Sequence, residues 1–336
     1  MKESEIRPEA VFNQFLALAE RDAKYYFGEV PRAHVNCPAC DRAGTTFAFH
    51  KLGFDYETCR SCETLFVNPR PSQDAFRRYY CEAPSIKFWA THFYEQTEAA
   101  RRERIFAPRA RAVLERIRKY LADAGTAEGG WIADIGAGYG VFCEEIRKIA
   151  PKANVFAIEP SPDLVRICRR KELTVVPKFI EDAERADLPV GPNERGTFTS
   201  FELLEHVQDP KAFLGSCRSL LRPGDLFMLT TLNGLGLDIQ VLWEKSKSVH
   251  PPHHINFFNP RSVKVLLERA GFLVLEVSTP GKLDVSILEN SLGKVFSDRF
   301  WGNFLAQLGE DGKEQFQQFL ADHGLSSHMM VMAQCR

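Results

Sequence analysis

Four cysteines stand in two knuckles, Cys37-Pro-Ala-Cys40 and Cys59-Arg-Ser-Cys62, with eighteen residues between them. Thiolates at that spacing converge tetrahedrally on one zinc, with a short hairpin bridging the knuckles. The intervening run TTFAFHKLGFDYETC alternates apolar and polar residues as hairpin strands do. A redox C-x-x-C would explain one pair but not two. The other five cysteines (Cys81, Cys143, Cys168, Cys217 and Cys335) are scattered and odd in number, which argues against a disulfide framework. With all four positions filled by protein, a zinc at Cys37, Cys40, Cys59 and Cys62 has no open coordination site and holds the fold.

The chain has 336 residues, 44% of them hydrophobic and 26% charged, enough to bury a large core and too apolar for a mostly disordered chain. Lys and Arg number 43 against 44 Asp and Glu, so the basic excess of a nucleic-acid binder is missing. No apolar run reaches bilayer length, and the opening MKESEIRPEA lacks a signal-peptide core, so a cytoplasmic protein without a membrane span is expected. Residues 1–33 read as an amphipathic helix ending near Gly28 and Pro31, and 34–71 as the zinc module. Residues 72–125 read as a helical linker or lid. Its RRERIFAPRARAVLERIRK run carries eight bases and two acids, which is read as a solvated helix face rather than a nucleic-acid or phosphate surface. Residues 285–336 read as a helical extension.

From about residue 126 to 284, strand-like and helix-like segments alternate. WIADI, NVFAIE, GTFTSF and DLFMLTTL read as strands, and VFCEEIRKIA, PDLVRICRRK and DPKAFLGSCRSLL as helices. The expected fold is α/β: a doubly wound, mostly parallel, Rossmann-like sheet with a small zinc ribbon and helical flanks. The first strand runs into Asp134-Ile-Gly136-Ala-Gly138-Tyr-Gly140, a loop whose glycines allow a tight turn and close approach of a ligand. The second strand ends in Glu159, placed to accept from both ribose hydroxyls of an adenosine cofactor.

These motifs, with Phe201-Glu-Leu-Leu-Glu-His-Val207 and Leu220-Leu-Arg-Pro-Gly224, resemble class I S-adenosylmethionine-dependent methyltransferases over residues 126–282. His254-Ile-Asn-Phe-Phe258 with Pro260, and Thr279 to Asp284, are similar to a branch with an N-terminal zinc ribbon, common among bacterial enzymes that methylate sugars and secondary metabolites. Arg195-Gly196 replaces the family's usual Phe-Asp, and Asp225 its second glycine after Pro-Gly. The resemblance implies that Asp134, Gly136, Gly138 and Gly140 belong to the cofactor loop, with the glycines against the methionine part. It implies that Glu159 holds the ribose, and that Asp182 and Ala183, or the adjacent Glu181, flank the adenine. Tyr139 is expected as a wall of that site.

Glu202, Glu205 and His206 form E-x-x-E-H at the carboxyl end of the fourth strand, where open parallel sheets bind ligands. If that end turns helically, the two carboxylates share a face. His250-Pro-Pro-His253-His254 follows in a stiff loop. Carboxylates plus imidazoles suit Mg²⁺ or Mn²⁺. The same E-x-x-E-H occurs in enzymes that methylate a hydroxyl of ubiquinone precursors or the 2′-hydroxyl of small RNAs, where it binds metal, and His254 matches a later ligand of the RNA enzymes. Three readings stay open: Glu202, Glu205, His206 and His254 bind a metal; His206 or His254 is a general base; or these are structural groups. His250 and His253 read as loop residues.

The expected activity is methyl transfer from S-adenosylmethionine to a hydroxyl of a sugar, glycan precursor or small polyol. The alternatives are a sugar C-methyltransferase, an RNA or protein methyltransferase, and a binding protein that has lost catalysis.

Overall fold

The computed structural model describes residues 3–121, 130–295 and 297–336. The expected domain boundary at 125/126 lies outside these residues. Helix α1 (Glu3–Ile6) is followed by α2 (Glu9–Phe27), where Pro8 starts the second helix instead of one helix running through. The inner face of α2 buries Phe12, Phe15, Ala19, Ala23 and Phe27.

Strand β1 (Arg32–Ala33) leads into the ribbon of β2 (Thr45–Lys51), β3 (Phe54–Cys59) and β4 (Leu65–Val67), and β5 (Arg70–Pro71) returns to pair with β1. The hairpin expected between the knuckles is β2–β3, antiparallel with Thr45 opposite Cys59. The four cysteine sulfurs lie within 4.8 Å of one another.

Helices α3 (Gln73–Glu82), α4 (Pro84–Phe88), α5 (Tyr94–Arg101) and α6 (Ala107–Leu121) lead to the main sheet. Single π turns join α4 to α5 (Trp89–Phe93) and α5 to α6 (Arg102–Phe106). Each π turn adds one residue to the helical path and rotates everything after it by about 100°. Arg101 and Arg109 would stand about 80° apart on a regular helix, and the second π turn brings them to within about 20°. Both face the same cavity, so the solvated-face reading fails at these two positions. It holds better at the exposed Arg104 and for Arg102, which pairs with Glu98, Glu144 and Glu145 at 2.6–2.7 Å.

The main sheet contains β6 (Trp131–Ile135), β7 (Asn154–Ile158), β8 (Thr174–Val176), β9 (Gly196–Phe201), β10 (Leu226–Leu232), β12 (Phe272–Ser278) and β13 (His328–Cys335), in the order β12-β13-β10-β9-β6-β7-β8. Helices α7 (Val141–Ile149), α8 (Pro162–Arg170), α9 (Pro210–Leu220) and α11 (Pro260–Arg269) connect the strands. Strands β6 to β10 pair in parallel, and β13 runs antiparallel to both β10 and β12. Expecting 285–336 to be wholly helical therefore fails at its end. Helices α12 (Asp284–Ser291) and α13 (Arg299–Asp322) are present, but the run MMVMA of β13 is a buried strand inside the sheet. An apolar run this short fits either a buried helix segment or a strand buried on both faces.

The two family departures compensate each other. A Cβ at Gly196 would come within 2.0 Å of the Trp131 ring, so glycine makes room for that indole. The buried Asp225 accepts from the Gly196 N–H at 3.1 Å and from the Arg222 N–H at 2.9 Å.

After the short α10 (Leu237–Leu242), β11 (Asn256–Phe257) leaves the main sheet and pairs with β4, becoming the edge strand of the ribbon sheet. Asn256 donates to Val207 O at 2.8 Å and accepts from Arg70, and Asn259 donates to Cys62 O at 2.8 Å. The cysteine-bearing ribbon is thus tied to the segment after β9 and to the strand that follows the His250–His254 loop.

Candidate active site

A cavity of about 410 Å³ opens at the carboxyl ends of β6, β7 and β9, walled on its other side by α2, α3 and the π-turn helices. On the sheet side, Gly136, Gly138 and Gly140 have φ of 70°, 56° and 69°. All three lie in the left-handed region that favours glycine. A Cβ on Gly140 would meet Leu173 at 2.4 Å, whereas one on Gly138 would meet nothing nearer than the Tyr94 hydroxyl at 3.7 Å. The backbone at Gly138 therefore has the open approach that a ligand of this loop needs.

Glu159 is buried and accepts from the Gly138 N–H and the Ser161 N–H, each at 2.9 Å. Burial pushes its carboxyl up to about 7 against the pull of those two donors. Asp134 is also raised to about 7 by burial, against the Thr199 hydroxyl that donates to it at 2.8 Å and the Arg109 charge. Asp182 is turned away: Arg77 grips it with two hydrogen bonds of 2.9 and 3.0 Å. Neither Asp182 nor Ala183 lines the cavity, whereas Glu181 does. Tyr139 also stands one layer back, stacked at 4.6 Å on Tyr94, the ring that forms the wall.

The two glutamates of E-x-x-E-H separate, contrary to the helical-turn expectation. Glu202 has φ of 51°, and the 3₁₀ turn begins only at Leu204, so the i, i+3 relation is broken. Glu202 accepts from the Thr230 hydroxyl at 2.7 Å and lies 3.2 Å from Arg109 and 3.3 Å from His328. Burial alone would raise its carboxyl, but His328, Arg109 and Thr230 hold it well below the usual range. Glu205 accepts from the Thr231 hydroxyl at 2.8 Å, and burial together with the Glu202 charge pushes it well above that range. The ligand-capable atoms of Glu205, His206 and His254 lie within 4.8 Å of one another, and Glu202 is outside the group.

His254 Nδ1 is 2.5 Å from the carbonyl of Ser248. A carbonyl only accepts, so Nδ1 carries the proton and Nε2 keeps its lone pair. Burial lowers this imidazole to about 4, so it is neutral at pH 7. His206 is also kept neutral, by burial and by the His254 ring 4.8 Å away, and its Nδ1 lies 3.1 Å from the Tyr80 hydroxyl. The ribbon fixes this loop from behind, where the Tyr56 hydroxyl donates to His254 O at 2.6 Å. His253 and His250 line the same cavity, with His253 Nε2 2.6 Å from the Tyr79 hydroxyl. Tyr80, Thr230 and His328 went unread in the sequence, and Arg109 is read there only as part of a solvated helix face. Nothing local marks them, because each enters from a distant element.

A family model described as a methyltransferase domain matches residues 102–277, just over half of the chain. The chain belongs to this family, the class I S-adenosylmethionine-dependent methyltransferases. Among curated relatives, the ubiquinone biosynthesis O-methyltransferase of Xanthomonas euvesicatoria is 30% identical over 172 residues, covering 48% of this chain and 70% of that protein. Its namesake in Xanthomonas campestris is 35% identical over 118 residues, covering 34% of this chain and 48% of that protein. The chain thus spans between about half and 70% of the length of these relatives. A solved structure of the plantazolicin methyltransferase BamL with S-adenosylhomocysteine is 12% identical, with a TM-score of 0.48, covering 77% of this chain and 94% of that one. A methyltransferase of Archaeoglobus fulgidus is 18% identical with a TM-score of 0.43, covering 67% and 94%. Likeness at this level has no bearing on substrate. Among the described residues, no helix is long and apolar enough to cross a membrane.

Proposed function

We propose that the protein O-methylates a hydroxyl of a small molecule with an aromatic body, using His254 or His206 as the general base. The observation that carries this reading is the His254 imidazole, neutral, buried and with its Nδ1 proton tied to Ser248, so that Nε2 is the basic atom available in the cavity. S-Adenosylmethionine supplies an electrophilic methyl group on a sulfonium. Gly136, Gly138 and Glu159 would hold it, with Asp134 beside the loop, Gly140 packed behind it against Leu173, and Glu181, rather than Asp182 or Ala183, on the adenine side. This chain's own residues align the hydroxyl, take its proton at the imidazole and exclude water.

Phe12, Phe15, Trp89, Tyr94 and Phe106 among the walls favour a ring over the sugar or polyol expected from sequence. The O-methyltransferase names of the curated relatives support oxygen as the methylated atom. Turnover with 3,4-dihydroxybenzoate set against methyl glucoside and glycerol tests the acceptor. Methyl transfer to the phenol is expected, and transfer to the sugar alone would overturn the reading.

A second reading has its own observation: the convergence of Glu205, His206 and His254 suits Mg²⁺ or Mn²⁺. One saturable Mn²⁺ site by electron paramagnetic resonance, weakened in His254→Ala, would favour the metal. No such site leaves the imidazole as base. The four convergent cysteines support a structural zinc, which one zinc per chain by atomic emission would establish.

A further inference from the structure

Arg7, Arg101 and Arg109 all line the cavity that holds His206 and His254. Arg101 and Arg109 both lie against the Phe106 ring, at 5.9 and 5.8 Å, and Arg7 lies over Phe12 at 5.5 Å. The three charges are close enough to oppose one another. Burial and then the Arg101 charge lower Arg7, and Arg109 is lowered by burial with Arg101 again opposing it.

Only Arg109 touches a counter-ion. That is Glu202 at 3.2 Å, whose same oxygen also faces Thr230 and His328. The guanidiniums of Arg7 and Arg101 make no hydrogen bond or ion pair among the described residues, and the Nε of each is sealed from solvent without a partner. The acids facing Arg7 are Glu3, Glu202 and Asp238. Glu3 accepts from Asn290 at 3.1 Å. Asp238 is fully buried, does not line the cavity, and is raised to about 7 by burial and by the Asp284 charge. Buried donors and cations are stable only when something answers them. Arg7 and Arg101 therefore stand in this cavity with no acid in contact with either guanidinium among the described residues.

We infer that the methyl acceptor carries an anionic group, a carboxylate or a phosphate, received by Arg7 and Arg101 while its hydroxyl faces the histidines. The inference rests on reading this cavity as the methyl-transfer site. A planar fork suits either anion, and the rings of Phe12 and Tyr94 give the adjoining body an apolar surface. The cofactor's own carboxylate is the competing anion, and the test must separate the two.

Full-length protein saturated with S-adenosylhomocysteine is titrated calorimetrically with benzoate, phenyl phosphate and benzamide, the last a neutral isostere of benzoate. The wild type should bind one anion at least about tenfold more tightly than benzamide, and the better of the two identifies the group. That preference should fall to about twofold or less in Arg7→Gln and in Arg101→Gln, with S-adenosylhomocysteine affinity changed by no more than about threefold. Arg101→Lys, which keeps the charge, should retain most of the preference, so lost folding is not mistaken for lost recognition. Equal binding of all three probes, or binding of none, overturns the inference. A loss of S-adenosylhomocysteine affinity as large as the loss of benzoate affinity also overturns it, because the arginines then serve the cofactor. The readout is binding, so an anion preference without phenol methylation would sink the proposed function and leave this site standing.

Discussion

At the scale of single residues, burial sets the chemistry of the site. Glu159 has its carboxyl raised to about 7 by burial, which the Ser161 and Gly138 N–H groups only partly offset. Its folded value lies above its unfolded one, so without ligand its contribution to stability is present below about pH 4.5 and is lost as pH rises through 7. Ribose hydroxyls donate best to the ionised form, so cofactor affinity should run the other way. Calorimetry should find S-adenosylhomocysteine binding several-fold tighter at pH 8 than at pH 6 in the wild type, and independent of pH in Glu159→Gln. A flat wild-type profile would remove Glu159 from the ribose site. The glycines make a second prediction. Gly140→Ala puts a Cβ at 2.4 Å from Leu173 and 3.0 Å from Cys168 at a φ of 69°, so chemical denaturation should show a loss of about 2–3 kcal/mol. Gly138→Ala has a similar φ of 56° but no neighbour within 3.5 Å, and should cost about 1 kcal/mol.

At the scale of elements, the ribbon braces the His250–His254 loop. Strand β11 completes the ribbon sheet, and Asn256 joins Arg70 to the carbonyls of Val207 and Leu204. Asn256→Ala would leave the Arg70 guanidinium short of an acceptor in a buried setting, a loss of about 2–4 kcal/mol by denaturant titration. On the proposal of a structural zinc, chelation should lower the melting temperature by about 10 °C and reduce kcat, because the strand behind His254 loses its support. An unchanged melting curve after chelation would mean that the ribbon stands without metal.

Element order was largely legible because its signals are local. The knuckle spacing, the glycine loop after WIADI and the alternation through DLFMLTTL each sit within a few residues. What escaped was non-local. Strand β13 follows a helical stretch broken at Gly309 and pairs antiparallel with two strands far earlier in the chain. Arg101 and Arg109 share a face only because a π turn intervenes. Glu202 leaves the Glu205 cluster because its backbone adopts a positive φ, which the spacing E-x-x-E-H does not encode.

At the scale of the whole molecule, four segments far apart in sequence close one cavity. The sheet edge brings the glycine loop and Glu159, the ribbon-backed loop brings His254, the N-terminal segment brings Arg7 and Phe12, and the π-turn helices bring Arg101 and Arg109. No segment alone contains the site. The central claim is that a buried, neutral imidazole takes a proton from an acceptor hydroxyl. The most direct measurement uses methyl-labelled S-adenosylmethionine and 3,4-dihydroxybenzoate with wild type, His206→Ala and His254→Ala, locating the label by NMR. Label on a ring oxygen is expected, with kcat reduced about 10²- to 10⁴-fold in at least one variant and S-adenosylhomocysteine affinity unchanged in both. Label on carbon, or kcat within about twofold of wild type in both variants, would contradict it.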